Sequence, residues 1–360
     1  MDLTPARAGR YARAAARWGR LLAEPGAHRR GSGIRVFYGH DRVPGLDDPA
    51  SGGSAKIQRL ATRFPNHPTG FTLVYLGSNW VPRDARALLA LVRRRRVPLV
   101  VNQDGVGYPG WAGTDTEAVN RPIRSLLSAA DHVLYQSEFC KRSADEWVGV
   151  PTGSWEVLHN AVDTVRFTPA ERAPGGGPVL LLGGDQTQAY RFELALDTLA
   201  ALTPSHPDAE LLVTGSIVVP VERLVAGLGL EGRVHVLGRY SQQDAPAMFR
   251  RAHVLLHTKV NDPCPSVVLE AMASGLPVVY PLSGGTPELV GEEAGVGVPH
   301  PDGFELDDPP APDALADAVT RVLAELPAYS TAARQRAVEG FSLQPWLDRH
   351  GELFERLAPM

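Results

Sequence analysis

From Ile34 onward the sequence alternates short apolar runs with amphipathic stretches, and this alternation constrains the fold more than any other feature. IRVFYG (34–39), FTLVYLG (71–77), PLVVNQ (98–103), HVLYQS (132–137) and EVLHNAVD (156–163) read as strands. SGGSAKIQRLATRF and PRDARALLALVRRRR between them read as helices. Strands separated by helices predict a parallel sheet covered on both faces. APGGGP (173–178) then reads as a linker. After it the pattern restarts with PVLLLGG, RFELALDTLAAL, ELLVTGS, VERLVAGL, VHVLG, APAMFRRA, HVLLH, SVVLEAMA and PVVYP. Two such runs predict an α/β chain of two doubly wound, Rossmann-like domains facing a cleft, with ligands at the carboxyl ends of the strands.

The 360 residues are too many for one ordinary core and suit two. The expected division is an N-terminal basic helix over 1–30, a first domain over 31–172, a second over 173–340, and a C-terminal helix over 341–360 packing back on the first domain. The net charge of −4 argues against a dedicated nucleic-acid binder, which needs cations to neutralise phosphates. Cys140 and Cys264 stand far apart and suit a reducing compartment. No apolar run is long enough to span a bilayer, and the N-terminus lacks the apolar core of a signal peptide. A cytoplasmic location is expected. No Asp-x-Asp pair or His/Cys cluster is placed as a metal site near the cleft, so neither metal nor cofactor is expected.

Basic residues collect in two places. ARAGRYARAAARWGRLLAE (6–24) puts Tyr11, Ala15, Trp18 and Leu22 on one helical face and Arg10, Arg13, Arg17 and Arg20 in a neighbouring stripe. Such a helix suits either an anionic membrane surface, as a peripheral contact, or packing on the protein with its arginines solvated. VRRRRV (92–97) closes a helix, where cations are favourable anyway.

The chemistry concentrates in NDPCPSVVLEAMASGLPVVYPLSGGTPEL (261–289). Pro263 and Pro265 stiffen the loop beyond a strand, Ser266 is the expected N-cap, and Gly275 with Pro277 stops the helix. A short helix results whose free N–H groups point from the strand ends into the cleft, an anion site suited to a pyrophosphate. Glu270 lies one turn inside this apolar helix. A carboxylate there needs a hydrogen-bond donor, because burying it unpaired is costly, and a sugar hydroxyl pair is a good one. Asp262, eight residues earlier, can hold a second polyol. The plainer alternative is a first-turn acid favoured by the helix dipole, with Asp262 a turn residue.

The spacing of Asp262 and Glu270, followed by AMASGLPVV and GGTPE (284–288), resembles the retaining glycosyltransferases of family 4, which have the GT-B fold. VLHNAVDTVRFTP resembles the strand and turn before that family's linker, and SGGSAKIQRLA its Gly-rich N-terminal loop. The resemblance implies a nucleotide-sugar donor, UDP-linked by expectation, in the second domain. Glu270 would bind the ribose hydroxyls and Asp262 the transferred sugar. Backbone at Pro265, Ser266 and Val267 would meet the diphosphate, backbone near Tyr240 the base, and Gly184 would line the same site. Gly52 and Gly53 would let the first domain's backbone approach the diphosphate.

Three segments depart from the family pattern. Asp262 stands for a Glu one methylene longer. The Arg and Lys that usually follow the first strand of the second domain are absent from LLGGDQTQAYRFEL, which leaves Arg191, then Lys259, as cations for the leaving diphosphate. Gln103 and Asp104 stand where a His is often found, so acceptor-side and catalytic roles fall to them. The acceptor is a hydroxyl compound of unread identity: a glycan, a lipid-linked sugar or a small molecule. Its pocket is expected from loops 40–53 and 103–120. A nucleotide-sugar epimerase or hydrolase, and a sugar-nucleotide-binding subunit with weakened catalysis, are the competing readings.

Overall fold

A computed structural model of the chain describes residue 19 and residues 33–48, 52–171, 175–301 and 303–358. The basic helix assigned to 1–30, and with it the membrane contact, lies outside the described residues apart from residue 19. So do residues 172–174 of the linker region.

The first sheet is parallel throughout, in the order β1-β2-β3-β4-β5. Its elements are β1 (Val36–Phe37), α1 (Gly53–Leu60), β2 (Leu73–Gly77), α2 (Ala85–Arg95), β3 (Leu99–Gln103), α3 (Pro109–Ala112), α4 (Thr116–Leu127), β4 (His132–Tyr135), α5 (Glu138–Trp147) and β5 (Ser154–Val157). Alternate strand residues face opposite sides. Val74, Leu76, Val101 and Val133 pack with Leu88 and Leu91 of α2, Ile123 of α4 and Ala144 of α5. Tyr38, Leu73, Tyr75 and Val100 pack with Ile57 and Leu60 of α1 on the other face. Val36 pairs with Leu73 of β2 and also bridges to Asn66, so the chain turns from one side of β1 to the other. α2 ends where the sequence places its cations: Arg93 to Arg95 fill the last turn, and Arg96 caps it in the left-handed region.

The second sheet has six parallel strands in the order β11-β10-β9-β6-β7-β8. It comprises β6 (Val179–Leu182), α6 (Ala189–Leu202), β7 (Glu210–Thr214), α7 (Val221–Gly227), β8 (Val234–Gly238), α8 (Ala245–Phe249), β9 (Val254–Leu256), α9 (Ser266–Ala273), β10 (Val278–Pro281), α10 (Thr286–Val290), β11 (Gly295–Val298), α11 (Pro312–Ala324) and α12 (Leu326–Phe341). The chain winds one way from β6 and the other way from β9. The loops after these neighbouring strands diverge and open a crevice, the place where doubly wound sheets bind ligands.

α13 (Leu343–Leu357) follows and packs Trp346, Leu347, Leu353 and Phe354 against Tyr75 and Val100 of the first sheet. The chain therefore crosses between the domains twice, and the crossings touch: Val162 N donates to Phe341 O at 2.8 Å.

Candidate active site

The loop after β9 carries the site. α9 starts at Ser266, and its cap is Pro265, in extended conformation and without a side-chain capping bond. Ser266 is thus the first helical residue and not the cap, because the two prolines already fix the chain's entry. The amides of Ser266 and Val267 have no acceptor within the helix, while Val268 N donates to Pro265 O at 3.1 Å. A Cβ on Gly183, just past β6, would run into the Val267 side chain. Gly184 (φ +83°) beside it touches Gly215, which follows β7. Gly183 thus lies against the first turn of α9, where a side chain would displace Val267.

Asp262 holds a carboxylate beside a lysine and an imidazole in the crevice at the switch point. Lys259 Nζ stands 3.3 Å from its Oδ2 and His257 Nε2 3.6 Å from the same atom. Burial alone would raise the Asp262 pKa, but Lys259 first, with Arg191, holds it below the usual carboxylate value. His257 is itself buried, its Nε2 lacks a hydrogen-bond partner among the described residues, and burial pushes its pKa down to about 3. The Gly284–Gly285 turn supports the loop from behind, Gly285 N donating to Asp262 O at 2.9 Å.

Arg191 belongs to this group. Its position in the first turn of α6 allowed a solvated side chain, but it is only 6 % exposed. Nη1 donates to Asp185 O at 2.7 Å, while Nε is buried without a partner among the described residues. Burial lowers its pKa, and Asp262 opposes that.

Glu270 is 4 % exposed, and its donor comes from the chain itself. Arg59 Nη2, on α1 of the first domain, donates to Glu270 Oε1 at 2.6 Å; Arg59 Nη1 donates to Ala161 O at 2.7 Å. Burial raises the Glu270 pKa, against the pull of Arg59 and a hydrogen bond from Gln242. The apolar helix therefore keeps its carboxylate through an ion pair that spans the cleft. Tyr240 is partly buried against the second domain's core, and burial pushes its pKa up.

Asp104 and Gln103 sit deeper than a cleft-facing role suggests. Asp104 Oδ1 pairs with Lys56 of α1 and accepts from Gln136 Nε2 at 2.8 Å. Gly52 (φ +53°) begins this part of the Gly-rich loop, and a Cβ on Gly53 would collide with Asn79 and crowd Asp104. Gln103 is fully buried, its Nε2 donating to Gly105 O at 2.6 Å. The network continues into the second domain. Asn160 Nδ2 donates to Gln136 Oε1 and to Cys264 O, each at 2.7 Å.

Glu288, last residue of GGTPE, makes a further crossing. It accepts from the amides of Glu138 (2.8 Å) and Phe139 (2.9 Å) at the N-terminus of α5, and from His159 Nε2 at 3.0 Å. Arg59, Lys56, His257 and the Glu288 clasp are absent from the sequence reading. The scarcity of lysine was a usable signal: of the three, Lys56 and Lys259 pair with carboxylates at the cleft.

Two family models meet at residue 166. Glycosyltransferase Family 4 matches residues 10–166, and Glycosyl transferases group 1 matches residues 166–337. The chain belongs to the family 4 glycosyltransferases. This family 4 chain is 29% identical over 286 residues to the MMP α-(1→4)-mannosyltransferase of Mycolicibacterium hassiacum, covering 76% of this chain and 63% of that protein. It is 29% identical over 227 residues to the D-inositol 3-phosphate glycosyltransferase of Mycobacterium sp. (strain KMS), covering 59% and 50%. It thus spans between half and two thirds of these relatives' lengths. Among solved structures, sucrose-phosphate synthase of Thermosynechococcus elongatus superimposes with a TM-score of 0.65 at 19% identity, over 85% of this chain and 78% of that one. Anabaena HepE in complex with UDP-glucose superimposes with a TM-score of 0.63 at 18% identity, over 84% and 81%. These neighbours show the GT-B fold of two Rossmann-like domains.

Proposed function

We propose that the chain is a retaining, metal-independent glycosyltransferase moving a hexose from a UDP-sugar to an acceptor hydroxyl. The observation that carries this reading is the pairing of Asp262 and Glu270 on either side of the N-terminus of α9, at the switch point, with buried Arg191 close by. Supporting it, sugar-transferring proteins recur among the relatives, and a structural neighbour is titled as a UDP-glucose complex.

In this proposal Glu270 takes the ribose diol, exchanging part of its bond to Arg59 for sugar hydroxyls. Backbone near Tyr240 meets the base, and Gly184 leaves room for the nucleotide. The amides of Ser266 and Val267, with Pro265 setting their direction, meet the diphosphate, and Gly52 and Gly53 approach it from the other side. Asp262 holds the hydroxyls of the transferred hexose. The acceptor oxygen forms a bond to the anomeric carbon while the bond from that carbon to the diphosphate oxygen breaks. The electron pair leaves with the diphosphate, and the acceptor proton passes to a diphosphate oxygen. Arg191, Lys259 and the helix amides stabilise the developing charge, and fixed dipoles and cations in a closed site do this effectively. The Asp104–Gln136–Asn160 chain positions the two domains for transfer; with Lys56 on one oxygen, Asp104 is no free base.

The test is product analysis after incubation with UDP-glucose, UDP-N-acetylglucosamine or GDP-mannose, with and without simple glycoside acceptors. Turnover only with an acceptor supports transfer. A new sugar isomer without acceptor supports an epimerase, and nucleotide binding without any turnover supports a weakened binding subunit.

A further inference from the structure

At the outer end of the cleft a loop from each domain meets the other. Gly110 N, on α3, donates to Phe304 O at 2.8 Å, and a Cβ at Gly110 would lie 2.8 Å from Leu306 and Asp307 backbone atoms. Phe304 packs against Tyr108, ring centroids 5.2 Å apart. Tyr108 Oη donates to Asp307 Oδ1 at 3.4 Å, and Gln188 Nε2 donates to Oδ2 at 3.0 Å. These contacts bury one side of the junction and leave another bare: Trp111 is 47 % exposed and Leu306 75 %. Trp111 keeps its ring 6.5 Å from that of Tyr108.

The junction borders the donor sugar's position. Asp307 interacts electrostatically with Lys259, which contacts Asp262. Asn261, the residue before Asp262, is tied to the same loop, its Nδ2 donating to Gly303 O at 3.0 Å. His300 interacts with Asp307 as well, and both its ring nitrogens are buried with no hydrogen-bond partner among the described residues. A half-exposed indole follows Gly110, whose backbone meets that of Asp307, so this junction carries an apolar platform together with a carboxylate and an unsatisfied imidazole, the make-up of a small-molecule site. The ligand class that matches has one apolar face and a rim of hydroxyls, which describes a pyranose ring.

We infer that Trp111 and Asp307, one from each domain, form a subsite for an acceptor pyranoside, the ring lying on the indole and a hydroxyl bonded to the carboxylate. The inference rests on the glycosyl-transfer reading and moves part of acceptor recognition onto the second domain's 303–307 loop. A carboxylate that served only to latch the loops would have no ligand to lose.

The test is calorimetry with methyl α-D-glucopyranoside and methyl α-D-mannopyranoside as probes, with and without UDP, on the full chain and on Trp111→Ala and Asp307→Asn. Saturable binding of at least one pyranoside is expected, weakened about tenfold or more in each variant, while cooperative melting persists. Equal binding by wild type and variants, or no pyranoside binding under either condition, overturns the subsite. Nucleotide binding is read separately. A protein that binds pyranosides through Trp111 but binds no nucleoside diphosphate keeps the subsite and loses the donor assignment.

Discussion

Arg59 and Glu270 stand 211 positions apart in the chain, yet Arg59 Nη2 donates to Glu270 Oε1 at 2.6 Å across the cleft, with both residues buried. Each is the other's charge compensation. Breaking a buried pair from one side costs about 3–5 kcal/mol, since the remaining charge stays buried. Arg59→Met should therefore lose stability in that range. Arg59→Met with Glu270→Gln should lose clearly less than the sum of the single variants. Urea denaturation of the four proteins measures this, and additive losses would mean the pair is not coupled.

The fold was legible because short continuous apolar runs bounded by Gly/Pro breaks mark most strands of a parallel sheet buried on both faces. β6, β7 and β10 fall inside PVLLLGG, ELLVTGS and PVVYP. β11 was missed: its sequence, GVGV, is half glycine and carries no β-branched run beyond two valines. At the site, α9, Glu270 and Asp262 were legible because prolines, glycines and one charge interrupt an apolar segment. Arg59 and Lys56 were not, because cations three apart on a helix look the same whether they face water or a partner domain. Arg191 was ambiguous for the same reason, and only its burial resolves it.

Arg191 should act on the leaving diphosphate. A cation that works mainly as charge develops affects turnover more than substrate affinity. Arg191→Ala should lower kcat by about 100-fold or more with a much smaller change in KM. Steady-state kinetics checks this; normal turnover would move the role to Lys259.

The same cations should make added metal unnecessary. Turnover in excess EDTA should match turnover with Mg²⁺ or Mn²⁺. Complete loss in EDTA, restored by either ion, would place a metal at the diphosphate.

His257 should give the fold a pH dependence. Its folded pKa, pushed down to about 3 by burial, lies below the ordinary value of 6.5. The unfolded chain then takes up a proton that the folded chain refuses, so stability is full above pH ~6.5 and falls as pH drops towards ~3. Between pH ~7 and ~5 this one residue should remove about 2 kcal/mol. His257→Asn should lose that much less over the same interval in parallel denaturation experiments. Equal losses in both proteins would mean that His257 is protonated in the folded state.

The central claim is that Glu270 holds the nucleotide of the donor. The most direct measurement is calorimetric titration of UDP and GDP into the wild type and Glu270→Ala, with melting curves recorded on the same samples. The account predicts binding of a nucleoside diphosphate by the wild type, UDP foremost, and a loss of about tenfold or more in the variant, equivalent to about 1.4 kcal/mol. Unchanged affinity in a variant that still melts cooperatively would contradict it.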